Sequence, residues 1–464
     1  MANRQLNNWT SSISVLAITI SLVAGQSVTQ KSLAQTSTTL PPAGVISING
    51  AGASTVNPLL VGTGTTAPFA PQGSWFNVFG VGNPPTLNDP AGAVNGPVSE
   101  LFTFRFASVG SGAGVRNFFC RTVPPASPGP TINLPISFGS TDDFLTPTDT
   151  NATVNATNPA CVSLPTPSYV QVPVIGLGLA LAYNRTGLTI PAAGLRLSRP
   201  TYCAILNGNI TNWNDARIRN DNGGAIISAN RPLRIVRRSD NSGSTLVVSS
   251  HLNTACRTTG TPGLPAASVW SRGVGSISTS GSVPPAPPAD TVVWPPSSLG
   301  ASGGGGVASA IVANAGAIGY VDSATRAARS LPAAILRNRA GNFTAISPTS
   351  ISAALTGLTD SDPTFRRIRI VTTDPAGATA YPISTVSYLL FYDQYTGTNA
   401  TNIASGIRGF INWALASPAV GSPTADAIAT ARGYAPLPAS IKSQVQNVVN
   451  LCVDTVLDPA TTCN

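Results

Sequence analysis

The chain has 464 residues, 42% of them apolar and only 9% charged, enough apolar material for one large or two medium domains and a poor match to a disordered chain or a long coiled coil. Its 26 basic against 17 acidic residues leave +9 at neutral pH, nearly all of it arginine because lysine stands only at Lys31 and Lys442. These arginines are dispersed and alternate with no aromatic platform, so the charge reads as a mildly cationic surface that favours anions, and nucleic acid is not an expected partner.

At the N-terminus Arg4 precedes an apolar run over residues 13–24, and Ser32-Leu33-Ala34 supplies the small residues of a cleavage site. Residues 1–34 therefore read as a secretory signal peptide and 35–45 as a polar, flexible leader. The run is too short to span a bilayer. The mature protein is expected to have no transmembrane segment and to be periplasmic or extracellular. Apolar alternation predicts strands at 45–48, 102–109, 136–139, 170–183, 233–237, 317–321, 367–372 and 386–392. Apolar spacing of three to four predicts helices at 198–206, 244–253, 307–315, 403–416 and 438–449. Such alternation implies an α/β architecture with a mainly parallel sheet. Two long apolar strands, 170–183 and 380–392, are far apart in sequence and are expected to cross between lobes. The first lobe is then discontinuous, 46–180 with 388–464, and the second spans 181–387. Pro/Gly/Ser-rich stretches at about 64–100, 121–135, 146–169 and 257–306 read as surface insertions.

Three Gly/Ser clusters stand where a strand hands over to a helix: GAGAST at 50–55, GSGAG at 110–114 and SGST at 242–245. Glycine lets the backbone approach a ligand, and the free amides of a helix's first turn attract anions. Any one of them alone is more simply a tight turn with a capping serine; three together favour an anion site. Beside the third, Arg237-Arg238-Ser239-Asp240 offers a guanidinium with a carboxylate to hold it, or else a solvated charge cluster. FGSTDD at 138–143 puts Asp142 after a strand, where it is either a helix cap or a ligand.

Six cysteines, Cys120, Cys161, Cys203, Cys256, Cys452 and Cys463, are an even number in a chain that reads as exported, so disulfides are expected. Cys203 and Cys256 lie on segments expected to be neighbouring helices, and Cys452 and Cys463 are close in sequence. Pairing each of these leaves Cys120 with Cys161. No CxxC spacing exists and His251 is the only histidine, so no metal site is expected.

In chain order, GAGASTVNP at 50–58, GSGAGV at 110–115, FGSTD at 138–142 and VRRSDNSGS at 236–244 resemble GAGATFPAP, GSSGGV, FGASD and VRRADGSGT. Those are motifs of the phosphate-binding proteins of bacterial ABC importers, the PstS type with its DING-type branch. ILNGNITNWND at 205–215, GAIGYV at 316–321, YPIST at 381–385 and YAPLP at 434–438 extend the resemblance over about residues 46–450. It implies a two-lobed periplasmic-binding-protein-like fold of type II, closing on inorganic phosphate for ABC-type import. The partners implied are phosphate and the importer's membrane subunits, with no cofactor and no catalytic residue. Carried over position by position, Ser54, Thr55, Ser111 and Asp142 bind phosphate from the first lobe. Arg238, Ser242, Gly243 and Ser244 do so from the second, with Asp240 orienting Arg238. The chain departs from the pattern at Thr55 (an aromatic in the family), Gly112 and Ala113 (Ser and Gly), Thr141 (Ser) and Ser244 (Thr).

An acid in an anion site has a chemical use. An ionised Asp142 only accepts hydrogen bonds, so it favours an anion that still carries a proton, as phosphate does near neutral pH and sulfate does not. Two other classes remain open: a secreted phosphatase-like enzyme, and a surface structural protein on the same fold. GASGG at 300–304 fits GxSxG, but in a glycine run with no strand expected before it. His251 precedes it and reads as a polar residue on a helix face.

Overall fold

Thirteen strands form in the computed structural model, which describes residues 46–70, 73–81, 102–121, 135–145, 168–362, 365–421, 423–456 and 463. They are β1 (Ile46–Gly52), β2 (Phe102–Ser108), β3 (Phe138–Thr141), β4 (Tyr169–Tyr183), β5 (Arg196–Leu197), β6 (Arg234–Arg238), β7 (Ile277–Ser280), β8 (Thr291–Trp294), β9 (Leu299–Ala301), β10 (Ala317–Asp322), β11 (Ile335–Arg337), β12 (Phe343–Thr344) and β13 (Ser384–Tyr392). Eight of them make one sheet in the order β2-β1-β3-β13-β4-β10-β6-β9.

The sheet has two parallel wings. β2, β1 and β3 run one way, and β10, β6 and β9 run the other. Between them β13 and β4 pair antiparallel with each other and with the wing each adjoins. These are the two long apolar strands expected to cross, and every residue of β13 is buried. Thr141, ending β3, lies level with Tyr388, which pairs with Pro173 of β4, whereas Asp322, ending β10, lies level with Leu179. The carboxyl ends of the wings thus face each other across residues 173–179. That is where open α/β sheets place ligands.

Pro173 leaves a mark on this centre. The register steps from Ser387↔Ile175 to Tyr388↔Pro173, so Val174 is an extra, unpaired residue and the strand pair bulges. A proline has no amide for the ladder and is accommodated in a sheet interior at such bulges.

The wings are covered by helices with apolar faces. On the β1 side, Trp75, Phe76 and Phe79 pack around Phe104, Phe410 and Trp413 with centroids 5.1–6.4 Å apart. Aromatic pairs add about 0.5–1.5 kcal/mol each beyond area burial, so this cluster is a major tie between the wing and the helix Ala400–Ala414. On the other side Trp294 stacks on Tyr320 at 5.5 Å. Disulfides join Cys203 to Cys256 and Cys452 to Cys463. Cys120 is disulfide-bonded as well, and Cys161 lies outside the described residues, as do the signal-peptide and leader segments.

Several expectations change. The sheet is mixed, because the crossing strands must reverse direction to join opposed wings. Residues 367–372 form no strand; their β-pairing is an isolated bridge between Arg367 and Gln171. The stretch 257–306 is not simply a surface insertion, since β9 within it closes the sheet edge against β6. That strand also supplies the first two residues of GASGG, so the glycine run does lie in a strand-turn-helix. Ser302 there is exposed, while His251 is buried and its ring nitrogens meet the Tyr202 hydroxyl and the Thr373 carbonyl oxygen. Burial pushes that imidazole down to about 4, so His251 is a neutral residue of helix Gly243–Ala255 on a face turned into the core.

Candidate functional site

Five strand ends converge on the crevice. β1 leads through Ser54 and Thr55 to helix Asn57–Leu60, and β2 leads through Gly110 to helix Ser111–Phe119. From the opposite wing, β6 leads through Asp240 and Ser242 to helix Gly243–Ala255, and β9 leads through Ser302 to helix Gly303–Ala313. β3 runs directly into Asp142. Helix first turns therefore point inward with amides their own helices leave unused.

Asp142 is the centre of this arrangement and is 4% exposed. Its Oδ1 accepts the Thr55 hydroxyl at 2.6 Å and the Ser387 hydroxyl at 2.7 Å, and its Oδ2 accepts the Ser244 hydroxyl at 3.3 Å. Its backbone amide donates to Ser111 Oγ at 3.3 Å. These partners lie up to 245 positions away and come from both wings and from β13. Burial raises the Asp142 pKa above its ordinary value despite the opposing pull of the hydroxyls and of Arg238.

Arg238 is the last residue of β6 and is 2% exposed. Strand alternation sends its neighbour to the other face; Arg237 donates to Ser298 Oγ and to the Arg238 carbonyl. Arg238 donates Nε to Asp240 Oδ1 at 2.7 Å and a terminal nitrogen to Asp240 Oδ2, the two-pronged pairing of guanidinium with carboxylate. Burial alone would depress Arg238, but Asp240, with Tyr320 and Asp142, holds it above its usual value. Burial is the largest single effect on Asp240 and pushes it up, but Arg238 and the backbone amides, that of Gly303 among them, together hold the carboxylate below its usual range.

The wings fit closely. A Cβ on Gly243 would lie 2.7 Å from Ser111 Oγ and 2.8 Å from Asp142 Cβ, so only glycine lets the two sides meet here. Gly110, at φ +88°, is equally constrained, because a Cβ there would lie 2.7 Å from Asp240 Oδ2. Ser242 caps its helix by accepting the Thr245 amide at 3.3 Å. Ser54 Oγ accepts the Gly304 amide at 3.2 Å across the seam. All eight candidate ligand residues and Asp240 thus belong to one contiguous cluster.

Other members were not anticipated. Ser387 sits inside a fully buried strand with no glycine or turn to mark it, two residues beyond YPIST. Gly303 donates its amide to Asp240 Oδ1 at 3.0 Å, and with Gly304 it belongs to a run that reads as loop. Tyr320 and Thr245 share a 2.7 Å hydrogen bond behind Arg238, whose amide donates to Tyr320 at 3.0 Å. A cavity opens onto Asp142 past Phe144, Leu246, Ser250 and Thr385. Among the described residues no group of three His, Cys, Asp or Glu side chains is placed to hold a metal ion. Hydroxyls, amides and one guanidinium around a carboxylate suit a small oxyanion, with the carboxylate taking up any hydrogen it carries.

A family model described as PBP superfamily domain matches residues 95–418. The phosphate-binding protein PstS of Xylella fastidiosa strain 9a5c is 26% identical over 388 residues, covering 83% of this chain and 88% of that protein. PstS of Methanocaldococcus jannaschii is 26% identical over 297 residues, covering 61% and 67%. Among solved structures, a high affinity periplasmic phosphate-binding protein (PfluDING) bound with phosphate superposes with a TM-score of 0.56 at 21% identity, over 87% of this chain and 93% of that one. A phosphate-binding protein from Stenotrophomonas maltophilia gives 0.52 at 19%, over 87% and 94%. These likenesses show the two-lobed fold.

Proposed function

The chain belongs to the PBP superfamily, and from that premise we propose that it is an exported solute-binding protein that captures inorganic phosphate between its lobes for an ABC-type importer. The lobes are assigned as residues 46–180 with 388–464, and 181–387. Ser54, Thr55, Ser111 and Asp142 grip the anion from the first, and Arg238, Ser242, Gly243 and Ser244 from the second, with Asp240 orienting Arg238 and Ser387 orienting Asp142. One observation carries the reading: a buried acceptor carboxylate faces a buried, carboxylate-paired guanidinium across a seam of hydroxyls and helix amides. The names of the relatives support the same ligand.

Selectivity follows from proton inventory. Phosphate brings a hydrogen that Asp142 accepts, whereas sulfate leaves an acceptor facing a like charge, and sites built around one hydrogen reject analogues lacking it by orders of magnitude. Titration calorimetry of the purified protein with phosphate and with sulfate tests the proposal. A strong preference for phosphate is expected, and equal affinities would remove the assignment.

A further inference from the structure

Asp322 ends β10 and caps helix Ser323–Ala328, and it is 1% exposed. Its Oδ1 accepts the Thr325 amide at 2.8 Å. Its Oδ2 has no hydrogen-bond partner. That oxygen faces the crevice: a Cβ on Gly304 would lie 3.1 Å from it and 3.6 Å from Ser54 Oγ, beside the Gly304–Ser54 bond that bridges the wings. Material from the β1 side closes over it, since helix Asn57–Leu60 packs on helix Ser323–Ala328. A Cβ on Gly433 would come within 3.1 Å of the Ser323 carbonyl oxygen.

A buried carboxylate with an unmet oxygen is costly and is relieved by a cation, a donor or a proton. The titratable groups that act on it from the β1 side are Asp142 and Tyr434. Of the nearby cations, Arg326 on its own helix donates to the Leu331 carbonyl, and Arg432 donates to the carbonyls of Pro58 and Ala70. Helices Asn57–Leu60 and Gly303–Ala313 have no titratable side chain, β4 has only Tyr169 and Tyr183 at its ends, and Tyr320 of β10 is bonded to Thr245.

Resting on the phosphate reading above, we propose that Asp322 is a proton-linked residue of this site, ionised and hydrated while the wings stand apart and protonated when they close on the anion, so that capture takes up a proton. Burial pushes its carboxyl from 3.8 up to about 6, with the charge of Asp142 adding to the effect. A bound anion acts in the same direction. The closed form therefore holds more protons than the open one between these values, and affinity falls as pH rises through that window.

Asp322→Asn tests this, because asparagine caps a helix as well as aspartate does and does not titrate. Inorganic phosphate is titrated calorimetrically into both proteins from pH 4.5 to 8, and the ratio of affinities cancels the ionisation of phosphate. The displacement from 3.8 to about 6 predicts that wild-type affinity falls roughly twentyfold relative to the variant across this range, levelling above pH 7. At pH 5, in buffers of different ionisation heat, the wild type takes up nearly one proton more than the variant. Parallel affinity curves with equal proton uptake overturn the proposal. Absence of phosphate binding by the wild type at every pH overturns the phosphate reading instead. If the asparagine variant does not fold, Asp322→Ser, also a capping residue, carries the same comparison.

Discussion

Asp142→Asn separates the recognition of a hydrogen from the general attraction of an anion. In the wild type, Oδ1 accepts Thr55 at 2.6 Å and Ser387 at 2.7 Å, and Oδ2 accepts Ser244 at 3.3 Å. An asparagine oxygen keeps the two short bonds, and its NH₂ takes the place of Oδ2, where Ser244 turns from donor to acceptor. The fold is therefore retained while the acceptor for the ligand's hydrogen becomes a donor. Hydrogen bonds to charged groups contribute about 1.5–3 kcal/mol, which at ~1.4 kcal/mol per decade corresponds to a phosphate affinity loss of roughly 10- to 100-fold. Sulfate, which has no hydrogen to place, gains a donor and loses a like charge, so its affinity rises. Calorimetry with both anions reads the ratio, and an unchanged phosphate-to-sulfate preference in the variant would refute the reasoning. Because burial raises Asp142, its own protonation arrives at a higher pH than usual. Wild-type preference for phosphate should accordingly narrow as pH falls.

Ser387→Ala removes one of the two short donors that orient Asp142, with an expected loss of about 1 kcal/mol in phosphate binding by the same titration; unchanged affinity would show that Thr55 suffices. Gly243→Ala puts a methyl 2.8 Å from Asp142 Cβ, an atom that cannot rotate away, so affinity should drop at least about tenfold while the ligand-free urea midpoint changes little. Wild-type affinity in that variant would mean the seam does not close as described. The Cys203–Cys256 bridge closes a separation of 53 residues and Cys452–Cys463 one of 11. Loop entropy predicts losses of about 4 and 3 kcal/mol when each pair is replaced by serine, and denaturant melts in which the shorter loop mattered more would contradict it.

Local rules carried much of the molecule. Period-two apolar runs located β4 and β13, and the serine and proline starts placed the helices beginning at Arg199 and Ala439 within a residue or two. VRRSDNSGS holds Arg238, Asp240 and the Ser242 cap in nine consecutive positions, so that half of the site is local chemistry. Asp142 is different: what distinguishes it from an ordinary cap is contact with Ser244, 102 positions away, and Ser387, 245 positions away. No spacing rule reaches that far. Residues 300–304 misled because a three-residue strand on a sheet edge has too few side chains for alternation to show. Asp322 was hidden by its dual use, since a capping aspartate explains one of its oxygens and draws no attention to the other.

The slip in pairing at Ser387 and Pro173 acts as a crease in the band that holds the halves together. Sheets bend where a ladder is interrupted, and this interruption carries the hydroxyl that holds Asp142. The crease and the buried acid Asp142 are thus one hydrogen bond apart. A bend at the crease would displace the Ser387 hydroxyl that orients Asp142, with no core residue between the two.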